Sequence, residues 1–230
     1  MRSESACLAA AAFCLYWTLA FGVAEKAGSS SIDIPKLESS VDIDGQLWED
    51  AWSRAAAFTV NEEVATRKAT GAMLPPGHET ALKIWRSADA LYLGFRCENP
   101  DMPMFMNAQP RGRDGAPFSD ECIEIFITTP AGGSRSSRQF VFNALGSMYD
   151  GTWCSGAPDK EWNGEWQVAA AIVRGAWYAE VRIPLSDLGR PGYILINCTR
   201  VSYGQGRKSR LSAWQAPGWF DPVFRIDLDK

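Results

Sequence analysis

Three acidic residues, Asp120, Glu121 and Glu124, begin a β-branched stretch and are the first candidates for chemistry. Successive side chains of a strand point to opposite faces, so we expect Asp120 and Glu124 on one face and Glu121 on the other. Most glycosidases use two carboxyl groups, but four residues of strand would separate Asp120 from Glu124 by about 13 Å, more than either mechanism uses. We therefore predict that Glu124 accepts hydrogen bonds from hydroxyl groups or binds calcium. A glycosidase is the less favoured alternative.

Aromatic residues are abundant, with 10 Trp, 11 Phe and 6 Tyr. Phe118, Trp214 and Trp219 lie in turn-like sequence, where a large aromatic side chain is costly to expose without a purpose. Because a pyranose ring has C–H groups on its faces and hydroxyls at its rim, these residues are candidates for stacking on a sugar. Packing at the ends of the fold is the alternative. Five tryptophans are predicted to pack in the core or against a helix: Trp48, Trp52, Trp85, Trp166 and Trp177.

Soft metal ligands suggest a second class of function. Met102, Met104 and Met106 are spaced two apart, which suits Cu(I), although packing is the favoured explanation. His78 is the single histidine, and no C-x-x-C-H motif for haem attachment is present. A copper- or haem-carrying domain therefore remains an alternative.

Charge and composition exclude other classes of protein. The hydrophobic content of 46% and the net charge of −4 do not fit a disordered chain. A protein that neutralises nucleic-acid phosphates needs a basic face, whereas the basic residues here are scattered. We expect no nucleic-acid partner.

The N-terminal residues predict export. Residues 6–21 are almost wholly apolar, and Ala24 ends a group of small residues that suits signal peptidase. The apolar run is shorter than the approximately 20 residues that span a bilayer. We predict a signal peptide over residues 1–24, a linker over 25–40, one domain over 41–230, and a secreted or periplasmic location.

The cysteines outside the predicted signal peptide allow two interpretations. They are Cys97, Cys122, Cys154 and Cys198, and none forms a C-x-x-C pair. An exported chain favours one or two disulfides, with a pairing that the sequence does not give. Free buried thiols are the alternative.

Short strands separated by turn signals account for most of the chain. Residues 80–86 and 91–97 form one alternating hairpin pattern, and 166–173 and 177–183 form another. Further strands are predicted at 120–128, 139–143, 193–201 and 224–228, with short helical turns at 47–56 and 184–188. This spacing predicts an all-β, two-sheet antiparallel β-sandwich. The long loop over 99–117 is expected to carry function.

Six segments resemble motifs of the family 9 carbohydrate-binding modules, in that family's order. They are 41–52 (VDIDGQLWEDAW), 82–97 with DALY at its turn, 118–127 (FSDECIEIFI), 139–146 (QFVFNALG), 178–184 (YAEVRIP), and the closing pair SAW at 212–214 and WFDP at 219–222. Together they cover nearly all of the predicted domain.

The resemblance implies a distorted jelly-roll-like sandwich that binds sugars, often at chain ends, and needs no catalytic residues of its own. It implies that Phe118 and Trp219 clamp a sugar ring and that Glu124 accepts sugar hydroxyls. Asn143 and Trp214, in the matching segments, complete the predicted site. The family can also hold structural calcium, for which the sequence identifies no ligands. Glycan degradation would then be carried out by a separately encoded glycoside hydrolase.

Three positions depart from the family pattern. Phe118 stands where tryptophan is typical, Val141 occupies the position of an expected basic residue, and Phe224-Arg225 replaces Phe-Gly. A domain that retained the fold without the sugar site is therefore a further alternative.

Overall fold

A computed structural model describes residues 30–65, 68–102, 107–131, 134–154, 157–204, 209–214 and 223–229. The predicted signal peptide, Trp219 and the Met104–Met106 pair lie outside these residues. No helix in the described part of the chain is long and apolar enough to cross a membrane.

The described residues form fifteen strands and one short α-helix. In chain order they are β1 (Ser30–Ser31), α1 (Asp50–Arg54), β2 (Ala56–Val60), β3 (Glu62–Ala65), β4 (Lys68–Met73), β5 (Thr80–Arg86), β6 (Ala90–Glu98), β7 (Cys122–Ala131), β8 (Ser134–Asn143), β9 (Met148–Cys154), β10 (Ala157–Asp159), β11 (Gln167–Val173), β12 (Ala176–Pro184), β13 (Tyr193–Tyr203), β14 (Ser209–Ala213) and β15 (Phe224–Asp227). The predicted all-β class is confirmed.

Two sheets form the sandwich. The large sheet has the order β10-β9-β8-β7-β13-β14-β3-β4, with β15 also paired to β13 and β1 paired in parallel to β15. The small sheet has the order β11-β12-β6-β5-β2. Apart from β1 with β15, the strand pairs are antiparallel, and the two predicted hairpins are β5–β6 and β11–β12.

Period-two alternation directs one face of each sheet into a shared core. In β7, Ile123, Ile125 and Ile127 are fully buried between the sheets. Burying such a side chain contributes about 2 kcal/mol to folding. The small sheet contributes Leu82, Ile84, Leu91, Leu93, Phe95, Trp177, Val181 and Ile183.

The outer face of the small sheet is covered by the segment that precedes β2. Glu180 accepts hydrogen bonds from the backbone N–H groups of Asp44 and Gly45 (both 2.9 Å) and from the Trp52 indole (2.7 Å). A Cβ at Gly94 would lie 2.7 Å from Leu47 and 2.9 Å from Trp52, so only glycine lets this segment approach. The Asp-Gly…Trp motif therefore holds this segment against the outer face of the small sheet.

A buried ion pair connects the two sheets at one end. The Arg200 guanidinium lies 2.7 Å from the Glu121 carboxylate, and both side chains are inaccessible to solvent. Arg200 also donates to the Thr80 hydroxyl and the Glu98 carbonyl, while Glu121 accepts from the Tyr203 backbone N–H. Because each charge is paired and further hydrogen-bonded, the cost of burying it is offset.

The described residues include part of the predicted linker. Ser30 and Ser31 pair with β15, and the Leu37 backbone N–H donates to the Arg86 carbonyl. The packed structure thus extends at least to Ser30.

For three of the cysteines the structure distinguishes between the two alternatives, a disulfide or a free buried thiol. Cys97, Cys122 and Cys198 are free thiols, and burial raises the pKa of each above its usual value.

Four of the five tryptophans predicted to pack are buried, but the prediction for Trp48 is wrong, because its side chain is 70% exposed. Trp48 follows Leu47, which faces the sheet, and therefore points to solvent.

We predict that Arg200→Met lowers the free energy of unfolding by about 3–5 kcal/mol, because Glu121 would remain buried without its cation. Arg182→Met is the control. Its pair with Asp89 is partly exposed, so its loss is expected to cost less than about 1 kcal/mol. Urea denaturation of both variants measures the difference. Equal, small losses in the two variants would contradict the assigned role of the buried pair.

Candidate functional site

The outer face of the large sheet carries a buried polar group around Glu124. Glu124 in β7 stands opposite Val141 in β8 and Thr199 in β13. The Gln139 side-chain amide, also from β8, donates to the Glu124 carboxylate at 2.7 Å. These residues point away from the core, because their neighbours in each strand, Ile123 and Phe140 among them, point into it.

Burial governs the chemistry of Glu124. The residue is 4% exposed, and desolvation raises the pKa of its carboxyl group from 4.5 to about 7, although the hydrogen bond from Gln139 opposes this shift. Among the described residues, no arginine or lysine forms an ion pair with Glu124. The carboxyl group is therefore able to accept further donors.

Thr199, beside Glu124, carries an unsatisfied hydroxyl group. Its side chain is fully buried, and its Oγ1 atom has no hydrogen-bond partner among the described residues. Directly opposed side chains of antiparallel strands lie about 5 Å apart, so Thr199 borders Glu124.

Aromatic side chains stand near this polar group. Phe118, in the 3-10 turn Pro117–Ser119, contacts Tyr149 of β9 edge to face, with 4.8 Å between ring centroids. Tyr149 stands opposite Val141, which in turn stands opposite Glu124, so these side chains share the outer face. Phe118 and Tyr149 are both half-buried and leave part of each ring accessible. The structure thus places Phe118 and Glu124 on the same side of the molecule.

Trp214 does not belong to this group, which corrects the sequence-based expectation. Ala213 pairs with Thr199 and shares its face, so Trp214, the next residue, points to the other face. There its ring packs against Phe58 (4.7 Å between centroids) and Phe224 (4.3 Å) at the edge of the core. The sequence around Trp214 resembles a turn and gives no sign of this packing. Phe58 is distant in the chain, so the contact could not be predicted from neighbouring residues.

Asn143 is occupied within the protein. Its amide nitrogen donates to the Gln109 carbonyl and to Asp120, and its oxygen accepts from the backbone N–H groups of Leu145 and Ser147. These bonds hold the long loop and the β8–β9 turn against the sheet. The structure therefore gives Asn143 a positioning role at this side of the fold.

The long loop is fixed by two further carboxylates. Asp120 accepts from Arg111 at 2.5 Å, and Asp150 from Arg113 at 2.7 Å. Asp120 is thus engaged with a cation and with Asn143, and it does not contact Glu124. The two groups considered as a glycosidase pair have separate partners.

The alternative metal sites receive no support from the residues described. Nowhere among them do three histidine, cysteine, aspartate or glutamate side chains come together to hold a metal ion. Met102 is buried in the core. His78 is buried beside Arg210 and Arg200, and desolvation together with these cations lowers its pKa.

Three residues of this face were not predicted as site residues from the sequence: Gln139, Tyr149 and Thr199. The alternation of side chains along each strand could have identified them. In the paired strands β7, β8, β9 and β13, each occupies a position whose side chain faces away from the isoleucines and phenylalanines of the core. Using that signal required the register between strands, which one sequence does not contain.

The raised pKa of Glu124 predicts how stability depends on pH. The unfolded chain loses this proton near pH 4.5, whereas the folded protein retains it to about pH 7, so stability falls as pH rises through this window. We expect the contribution of Glu124 to this loss to reach about 3 kcal/mol and to be absent in Glu124→Gln, which keeps the smaller loss from Glu180, whose pKa desolvation raises to about 6. Urea denaturation at about pH 5 and about pH 8 measures it, with exposed Asp50→Asn as control. Parallel profiles for wild type and Glu124→Gln would contradict the assignment.

Comparison with sequence families gave no match to a family model, and comparison with curated proteins gave no match either. Solved structures do match. A family 9 carbohydrate-binding module from Caldicellulosiruptor kristjanssonii in complex with glucose matches with a TM-score of 0.57 at 15% identity, over 86% of this chain and 95% of the module. The same type of module in complex with cellotriose gives a TM-score of 0.54 at 13% identity, over 86% and 93%.

A presumptive carbohydrate-binding protein from Bacteroides uniformis also matches, with a TM-score of 0.64 at 12% identity, over 86% of this chain and 99% of that protein. The likeness covers nearly the full length of each relative. The chain therefore has the fold of the family 9 carbohydrate-binding modules.

Proposed function

We propose that this protein is a non-catalytic carbohydrate-binding domain that holds a glycan on the outer face of the large sheet. The observation that carries the proposal is the juxtaposition, on this one face, of the buried Glu124–Gln139 pair and the half-buried rings of Phe118 and Tyr149. Two of the proteins that share the fold are described in complex with glucose and cellotriose, which supports the same class of ligand.

The chemistry of the face suits a sugar. Glu124 accepts hydrogen bonds from ring hydroxyls, and the hydroxyl of Thr199 can both donate and accept. An aromatic ring covers the C–H face of the pyranose, and this contact leaves no hydroxyl group buried without a partner. Phe118 supplies that ring, and Trp219 completes the clamp in this proposal.

The proposed function includes a cellular location and a partner enzyme. Export through a signal peptide over residues 1–24 would place the domain outside the cytoplasm, where polymeric glycans are found. A separately encoded glycoside hydrolase would act on the glycan that the domain binds. Asn143 contributes by positioning the long loop that carries Phe118.

We predict that Phe118→Ala weakens binding to glucose or cellotriose about tenfold, because one stacking face is lost. Trp48→Ala is the control: it also removes an aromatic ring, in this case an exposed one that lies in the segment covering the small sheet. A glycan array followed by isothermal titration of the sugars retained would measure both. Retention of no sugar by wild type would overturn the proposal, and so would equal effects of the two variants.

A further inference from the structure

Buried carboxylates are compensated in this fold, with one exception. The described residues hold five: Asp120, Glu121, Glu124, Asp150 and Glu180. Asp120, Glu121 and Asp150 each form an ion pair with an arginine, and Glu180 accepts from three backbone N–H groups and an indole. Glu124 has one neutral donor among the described residues, the amide of Gln139.

Thr199, the neighbour of Glu124 in the sheet, also has unused hydrogen-bonding capacity. Thr199, directly opposite across the β7–β13 ladder, has a fully buried hydroxyl with no partner among the described residues. A buried polar group without a partner is destabilising, and what sets this one apart from other such groups in the described residues is its position beside a buried carboxylate without a cation. Two adjacent side chains thus have unused hydrogen-bonding capacity: the carboxylate can accept further donors, and the hydroxyl can donate or accept.

We propose that the glycan recognised at this site carries an ammonium group, and therefore that the ligand is an amino sugar rather than a neutral hexose. The inference rests on the proposed function, because it specifies the ligand of the same site. An ammonium group has three N–H donors and a positive charge, and it supplies to Glu124 what arginine supplies to Glu121.

The chemistry separates three sugars of similar size. The ammonium of glucosamine donates charge-assisted hydrogen bonds to the Glu124 carboxylate and has a further N–H for the Thr199 hydroxyl. The corresponding hydroxyl of glucose has one donor and no charge. The acetamido nitrogen of N-acetylglucosamine also has a single N–H, is neutral, and carries a bulky acetyl group.

Isothermal titration of glucosamine, glucose and N-acetylglucosamine against wild type tests the inference. We expect glucosamine to bind about tenfold more tightly than glucose at neutral pH, because a bound ammonium favours the ionised form of Glu124 and a charge-assisted hydrogen bond is about twice as strong as a neutral one. In Glu124→Gln, which keeps the shape of the side chain and removes its charge, the preference is expected to vanish. Thr199→Val, which removes the unpartnered hydroxyl alone, is expected to reduce it in part.

The outcomes distinguish this inference from the proposed function. Tighter binding of glucose or N-acetylglucosamine by wild type would overturn the amino-sugar assignment and leave sugar binding intact. A preference for glucosamine that persists in both folded variants, as checked by circular dichroism, would place the ammonium elsewhere and also overturn it. No binding of any of the three sugars, together with no retention on a glycan array, would overturn the proposed function itself.

Discussion

The alternation of side chains at the start of β7 is the constraint on which the rest of the structure depends. Glu121 and Glu124 are three residues apart and both buried, yet the pleat sends them to opposite faces of the large sheet. Glu121 faces inward, where Arg200 joins the two sheets. Glu124 faces outward, where the described residues provide Gln139 as its one hydrogen-bond partner. One carboxylate therefore joins the two sheets, and the other is the group that we propose accepts the ligand.

Much of the fold could be predicted from the sequence because its strongest signals are local. The hairpins at β5–β6 and β11–β12 and the inward isoleucines of β7 follow from period-two alternation. The short strands β3, β4, β10 and β14 were not predicted. They contain few apolar residues in alternation, and the pairing of β14 with β3, which joins them to the large sheet, connects residues remote in the chain.

The site was predictable only in part, since its members meet through register. Glu124 and Phe118 could be selected by residue type and by the family resemblance. Trp214 could not be assigned correctly, because its direction depends on the pairing of β14 with β13, which turns the ring toward Phe58. Thr199 gives no signal in the sequence, since a threonine in a strand is ordinary. Its importance comes from burial beside Glu124 without a partner.

The central claim is that a sugar binds on the outer face of the large sheet, over Glu124. The most direct test is a crystal structure of the protein with the sugar that it binds most tightly in titration. The account predicts a sugar ring against Phe118 with a polar group within hydrogen-bond distance of the Glu124 carboxylate. A sugar bound elsewhere, for example against exposed Trp48, with the Glu124–Gln139 pair free of contact, would contradict it.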